Sequence, residues 1–281
     1  MSAALPTLGV ALTTAELAQH LALVRDAGRD VEIQDFRKPA ILAGDWSPVA
    51  NEVKRLLSGH EGRWGIHGPY EGFSLSASDP DVRAIIHKRF DRALDACEAI
   101  GASHMVVHSP VSVWDYHNLD DWPDARERLV QAFHDNVAPA VKRAADIGCP
   151  LVVENIQDCE PAMRVEMVKA FDSPGIRVSL DTGHANYCHG RHNAPPVDYY
   201  VRAAGKLLAH VHLQDTDGYA DRHWIPGDGH LRWKHIFRVL HETSQLDHGN
   251  ALERPRLIIE IRNKALLPDA VAYLTELGVA R

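Results

Sequence analysis

The chain is poor in cysteine: four among 281 residues, with no CxxC spacing. Cys97, Cys149, Cys159 and Cys188 give neither a disulfide framework nor a cysteine zinc cluster, and they read as buried, inert thiols of a reducing compartment. A basic excess is also missing. Lys and Arg number 30 against 38 Asp and Glu, a formal net charge of −8. Nucleic-acid surfaces usually carry clustered cations, so this balance argues against one, although it leaves room for a local basic face. No apolar run reaches the length that crosses a bilayer. MSAALPTLGV at the start lacks the basic residues and long apolar stretch of a secretion signal, so a soluble, cytoplasmic protein is expected. There is no Pro-, Gly- or Ser-rich linker and no low-complexity segment, and one domain over 1–281 is expected. The first strand-like run is followed by LTTAEL, without the Gly-rich phosphate turn of doubly wound dinucleotide folds.

What the chain does have is alternation. LGVALT (8–13), VEIQDF (31–36), RWGIHGPY (63–70) and HMVVHSP (104–110) read as strands, as do PLVVENIQ (150–157), IRVSLDTGH (176–184), LLAHVHLQD (207–215) and RLIIEIRN (256–263). Amphipathic stretches lie between them. A first helix follows with Thr14 as its cap, and others are expected over about 49–57, 79–100, 125–147 and 268–277, with Gly101 stopping the third. Eight strands, each followed by helix, imply a parallel sheet, and the near-continuous runs MVV, LVV and LII suit strands buried on both faces. At this length the economical closure is a (β/α)8 TIM barrel.

Chemistry on such a barrel sits where the strands end. Strand three ends in His67, strand four in His108, strand five in Glu154, and strand six in Asp181 with His184 three residues on. Strand seven ends in His212, its loop adds Asp221 and His223, and strand eight ends in Glu260. Acids at the ends of buried strands must be paired, hydrogen-bonded or metal-bound, and several together repel one another without a cation. Mixed oxygen and nitrogen donors suit zinc, manganese, cobalt or magnesium, one ion or as many as three. Glu154, Asp181, His212 and Glu260 form the centre of the set, with His184 beside them. His67 and His108 divide evenly between ligand and substrate contact. For Asp221 and His223 the plain alternative is a solvated turn. His210 is a structural residue one layer deeper than His212. His104, His189, His192, His230 and His235 read as structural or solvent-facing. ADRHWIPGDG is expected to fold back over the mouth, with Gly227 and Gly229 allowing the turn and Arg222 pairing with a nearby acid.

The motifs IHGPY, VVHSP, VVEN, LDTGH, HVHLQD, DRHWIPGDG and IIEIR together resemble the xylose-isomerase-like TIM barrels over nearly the whole chain. That superfamily includes sugar isomerases and epimerases, keto-acid isomerases, polyol dehydratases and the endonuclease IV nucleases. In its isomerase and epimerase branch the resemblance implies one divalent metal at Glu154, Asp181, His212 and Glu260. Glu154 and Glu260 would also move protons, and His184 would contact substrate. The metal would hold neighbouring hydroxyl and carbonyl oxygens and stabilise an enediolate. Return of the proton to the opposite face then gives epimerisation, and its return to the adjacent carbon gives isomerisation. In the endonuclease IV branch the resemblance implies three zinc ions on His67, His108, Glu154, Asp181, His184, His212, Asp221, His223 and Glu260.

Negative charge, the short acidic loop after strand seven, and the acidic, aromatic loop VSVWDYHNLDDW favour a small molecule over DNA. Trp114 and Tyr116 are candidate substrate contacts, the plain alternative being a packed lid that includes Trp122. The expectation is a metal-dependent isomerase or epimerase of a small sugar, polyol or hydroxy-keto compound. The alternative is an endonuclease IV-like multi-zinc phosphodiesterase, or a related metal-dependent lyase or hydrolase. A homo-oligomer is compatible with the resemblance.

Overall fold

Each apolar run becomes a strand, and β3, β4, β5 and β6 each stop on a His, Glu or Asp. The computed structural model describes residues 5–244 and 254–281. Its strands are β1 (Leu8–Leu12), β2 (Val31–Ile33), β3 (Trp64–His67), β4 (Met105–His108), β5 (Leu151–Glu154), β6 (Ile176–Asp181), β7 (Leu208–Leu213) and β8 (Arg256–Ile259). All neighbours are parallel, and β8 pairs with β1, so the sheet closes as an eight-stranded barrel in sequence order. The strands are shorter than the runs read from sequence because the chain must leave the sheet once its polar end residues reach the rim.

Period two turns one side of every strand inward. Leu8, Val10 and Leu12 of β1, Met105 and Val107 of β4, and Leu151 and Val153 of β5 face outward into the apolar layer beneath the helices. Each such side chain removed from water contributes roughly 1.5–3 kcal/mol. The inward side is polar. Glu32, His104, Ser179, His210 and His212 are all wholly buried. Gly65 makes room for this layer: a Cβ there would stand 2.2 Å from the His104 ring.

The helices form the outer ring, and two sequence expectations change there. The first helix is capped by Thr13 rather than Thr14. Thr13 and Glu16 form a reciprocal capping box, while the Thr14 amide donates to Asp35 at 2.7 Å. The same stretch also breaks at His20 into two helices, Thr14–Gln19 and Leu21–Arg25. Elsewhere the boundaries agree closely. Asp79 caps Pro80–Ile100, and Gly101 ends that helix at φ 68. The last helix runs Leu267–Glu276. No helix among the described residues is long and apolar enough to cross a membrane.

Candidate metal centre

The end of the barrel where the strands finish gathers the donors. Glu154 closes β5, Asp181 closes β6, His212 lies one residue from the end of β7, and Glu260 directly follows β8. One donor atom from each of these four lies within 4.8 Å of the others. His212 Nδ1 is 3.0 Å from Glu154 Oε1, 3.5 Å from Glu260 Oε2 and 3.9 Å from Asp181 Oδ2. Three further groups among the described residues meet the same criterion: His67, His108 and Glu154; His184, Asp221 and His223; and, one layer deeper, Glu32, His210 and His212. All nine residues singled out at strand ends and on the strand-seven loop are therefore brought together.

Local structure aims each one. Asp181 caps the helix Thr182–His192 by accepting from the His184 amide through Oδ1 at 2.7 Å, which leaves Oδ2 turned to the centre. Asn155 clamps the Asp181 backbone, donating to its carbonyl and accepting from its amide. A carbonyl oxygen can only accept, so a ring nitrogen held against one must carry the proton. His67 Nδ1 donates to Gly68 O at 3.0 Å, His184 Nδ1 to Asn155 O at 2.9 Å, and His223 Nδ1 to Glu260 O at 3.1 Å. In each ring Nε2 is thereby turned to an acid of the set, that of His67 to Glu154 and those of His184 and His223 to Asp221.

The strand-seven loop folds back as expected. Asp215 and Trp224 pair antiparallel, and buried Asp215 accepts from the amides of Gly227 and Leu231 and from Trp233 Nε1. Gly227 takes φ 102, closed to other residue types without strain. Arg222 pairs with Asp217 at 2.8 Å. Asp221, which stays exposed, and His223 lie against His184. His184 Nε2 stands 3.5 Å from Asp221, and His223 Nε2 lies 3.2 Å from it.

The electrostatics favour a cation. Burial pushes the Asp181 carboxyl up to about 6, with Glu154 adding to the rise. Burial opposes charge on Glu154 and Glu260 too, but His212 and the neighbouring imidazoles outweigh it and hold both below the ordinary carboxylate value. Burial would discharge His212, yet Glu260, Glu32 and Glu154 push it well above the ordinary histidine value. His223 is raised to about 9 because Asp221 and Glu260 overcome its burial. His108, with burial dominant, falls to about 3. Glu154 Oε2 and Asp181 Oδ2 are buried without a hydrogen-bond partner. A buried carboxylate oxygen without a hydrogen bond is stabilised by nearby positive charge, and the donor set fits a divalent ion.

Some functional neighbours escaped the sequence reading. Glu32 on β2 lies 3.0 Å from His212 Nε2. Gln214 joins three candidates: its Nε2 donates to Asp181 and Asp221, each at 3.1 Å, and its Oε1 accepts from the His223 amide. Both follow from period two, since Glu32 and Gln214 occupy inward positions. His210 lies a layer below His212, as expected, 3.0 Å from Glu32. His104 is structural and wholly buried.

The aromatic candidates lie elsewhere. Trp114 and Tyr116 sit on the helix Val113–Asn118, and Trp114 and Trp122 are 66% and 61% exposed, which is not a packed lid. Trp114 and Trp122 line a groove of about 240 Å³ with Leu119 and Leu129 and no candidate ligand. Tyr70 instead covers the donors, stacking on His108 at 4.0 Å while Arg37 donates to its hydroxyl. A cavity of about 750 Å³ lies at the opposite end of the barrel beside Pro150, Ile176 and Leu208, and is lined by no candidate ligand.

Comparison with known proteins agrees with this architecture. The profile of the xylose isomerase-like TIM barrel family matches residues 21–277. D-psicose 3-epimerase of Ruminiclostridium cellulolyticum is 27% identical over 68% of this chain and 63% of its own length. The TTHB071 protein of Thermus thermophilus, solved after soaking with zinc chloride, superposes with a TM-score of 0.68 at 22% identity, covering 98% of this chain and 99% of that one. A D-psicose 3-epimerase solved in the presence of D-fructose gives 0.70 at 16% identity, covering 98% of this chain and all of that one.

Proposed function

Because this chain belongs to the xylose isomerase-like TIM barrel family, we propose that it is a divalent-metal-dependent sugar isomerase or epimerase. Its centre is Glu154, Asp181, His212 and Glu260. The observation that carries this reading is the convergence of these four donors from four successive strand ends, with Glu154 Oε2 and Asp181 Oδ2 buried and unpaired. The similarity to sugar 3-epimerases supports the substrate class.

A divalent ion held there supplies positive charge beside the substrate's hydroxyl and carbonyl oxygens, which makes the neighbouring C–H acidic. The chain's own groups then move the proton. Glu260 is held ionised by His212 and His223 despite its burial, and remains 14% exposed towards the mouth, as a base facing substrate requires. Glu154, wholly enclosed and also ionised, is the second carboxylate. Return of the proton to the other face epimerises, and its return to the neighbouring carbon isomerises. His184, His67 and His108 would contact substrate hydroxyls. Trp114 and Tyr116 offer exposed rings to a sugar face further out.

The test is exchange in deuterated solvent with a panel of ketoses and aldoses. Under this reading a substrate C–H gains deuterium, and Glu154→Gln and Glu260→Gln each lose it. Full exchange in either variant would sink the two-glutamate mechanism.

The two outer donor groups favour one second reading, a multinuclear zinc phosphodiesterase. Metal content per chain separates the readings. About one ion supports the four-donor centre. About three zinc ions would shift the case to phosphoester hydrolysis, tested on abasic-site DNA.

A further inference from the structure

Strand β2 supplies none of the four central donors, yet it holds a carboxylate directly beneath the centre. Glu32 is wholly buried. Its Oε1 lies 3.0 Å from His212 Nε2 and accepts from Gln34 Nε2 at 2.7 Å. Its Oε2 lies 3.0 Å from His210 Nε2 and 3.8 Å from His104 Nε2. The ring thus presents Nε2 to Glu32 and Nδ1 to Glu154, Asp181 and Glu260, so a cation held by those three acids would meet Nδ1 while Nε2–H donates to Glu32.

The other donor histidines show that this arrangement is particular to His212. His67, His184 and His223 are each fixed through the second nitrogen by a neutral backbone carbonyl. His212 is fixed by a charged side chain. An anionic acceptor behind a ligating imidazole makes the ring a stronger electron-pair donor and locks its orientation. The support extends to Glu260. The Gln34 amide that donates to Glu32 also donates to Glu260 Oε1 at 3.0 Å, which leaves Oε2 facing His212.

We propose that Glu32 is the positioning residue of the centre: it selects Nδ1 of His212 as the ligating atom and, through Gln34, orients the Glu260 carboxylate. This rests on the metal-centre reading but not on the isomerase chemistry.

The test uses the full chain, stripped with a chelator and reloaded with zinc. Long-range proton–nitrogen correlation of the imidazoles should show His212 protonated on Nε2 and zinc-bound at Nδ1. Competition against a chromophoric chelator should give Glu32→Gln a zinc affinity lowered about 10–100-fold. Ser179→Ala is the control for disturbance of the buried network. It removes the 2.8 Å partner of His210 Nδ1 on the far side of Glu32, and should stay within about twofold of wild type. Should Glu32→Gln fail to fold, the wild-type ring nitrogens still decide. Zinc on His212 Nε2, as in a cation held by Glu32, His210 and His212, would overturn the proposal. Unchanged affinity in folded Glu32→Gln, with wild type binding zinc, overturns the assignment alone. A wild-type chain that takes up no divalent ion overturns the centre as well.

Discussion

In the metal-free chain the acids around His212 and His223 outweigh burial and raise both above the ordinary histidine value, His223 to about 9. An ion at the four-donor centre would displace a proton from His212, and one at the outer group a proton from His223. A group whose metal-free pKa is raised stays protonated until the pH passes that value, so metal uptake would release protons and strengthen as pH rises through it. Asp181, raised to about 6 by burial, adds the same trend at lower pH. Zinc titrations at pH 6.5 and 8.5 should differ by about tenfold per proton released per pH unit. Equal affinities would show that the ligands are already deprotonated. At the same scale, the isosteric but uncharged Glu260→Gln should slow proton exchange by at least about 100-fold. Measured zinc content should stay near wild type if the remaining donors suffice, and this separates proton transfer from ligation.

At the scale of the element, the strand-seven loop hangs on Asp215. That side chain is wholly buried and accepts from Gly227 N, Leu231 N and Trp233 Nε1. Asp215→Ala leaves those donors unsatisfied and should cost about 3 kcal/mol or more in urea unfolding. A loss under about 1 kcal/mol would mean that other contacts hold the loop. Elements also explain what could be read in advance. MVVH, LVVE and HVHL announce themselves because an apolar run ends in a donor, which is how a barrel strand meets its mouth. VEIQ does not. Glu32 and Gln34 alternate with Val31 and Ile33, and in isolation that pattern describes a strand with one wet face. Only closure of the sheet turns the polar side into the interior. Gln214 was missed for a different reason: an amide is no metal ligand, and its importance lies in the three partners it joins. The cap at Thr13 rather than Thr14 turned on Asp35, which is 21 positions away in sequence and claims the Thr14 amide.

On the scale of the whole molecule, the barrel closes through an extensive apolar layer that does not depend on the centre. Chelation should therefore leave the far-UV circular dichroism at 25 °C unchanged while lowering the melting temperature. Binding to the folded state alone adds about 4 kcal/mol when the free ion is at 1,000 times its Kd. A melting temperature indifferent to chelator would count against a tightly held ion. Collapse of the spectrum would mean that the acids cannot coexist without it.

The four central donors all come from β5 to β8, whereas Glu32 and Gln34 come from β2 and the residue just after it. Coordination and its support thus sit on opposite halves of the polypeptide and meet only across the barrel axis. A chain cut between β4 and β5 would leave every central ligand on one fragment and the acid behind His212 on the other. Ion affinity would then report on reassembly, rising when the N-terminal fragment is added and rising less when that fragment carries Glu32→Gln.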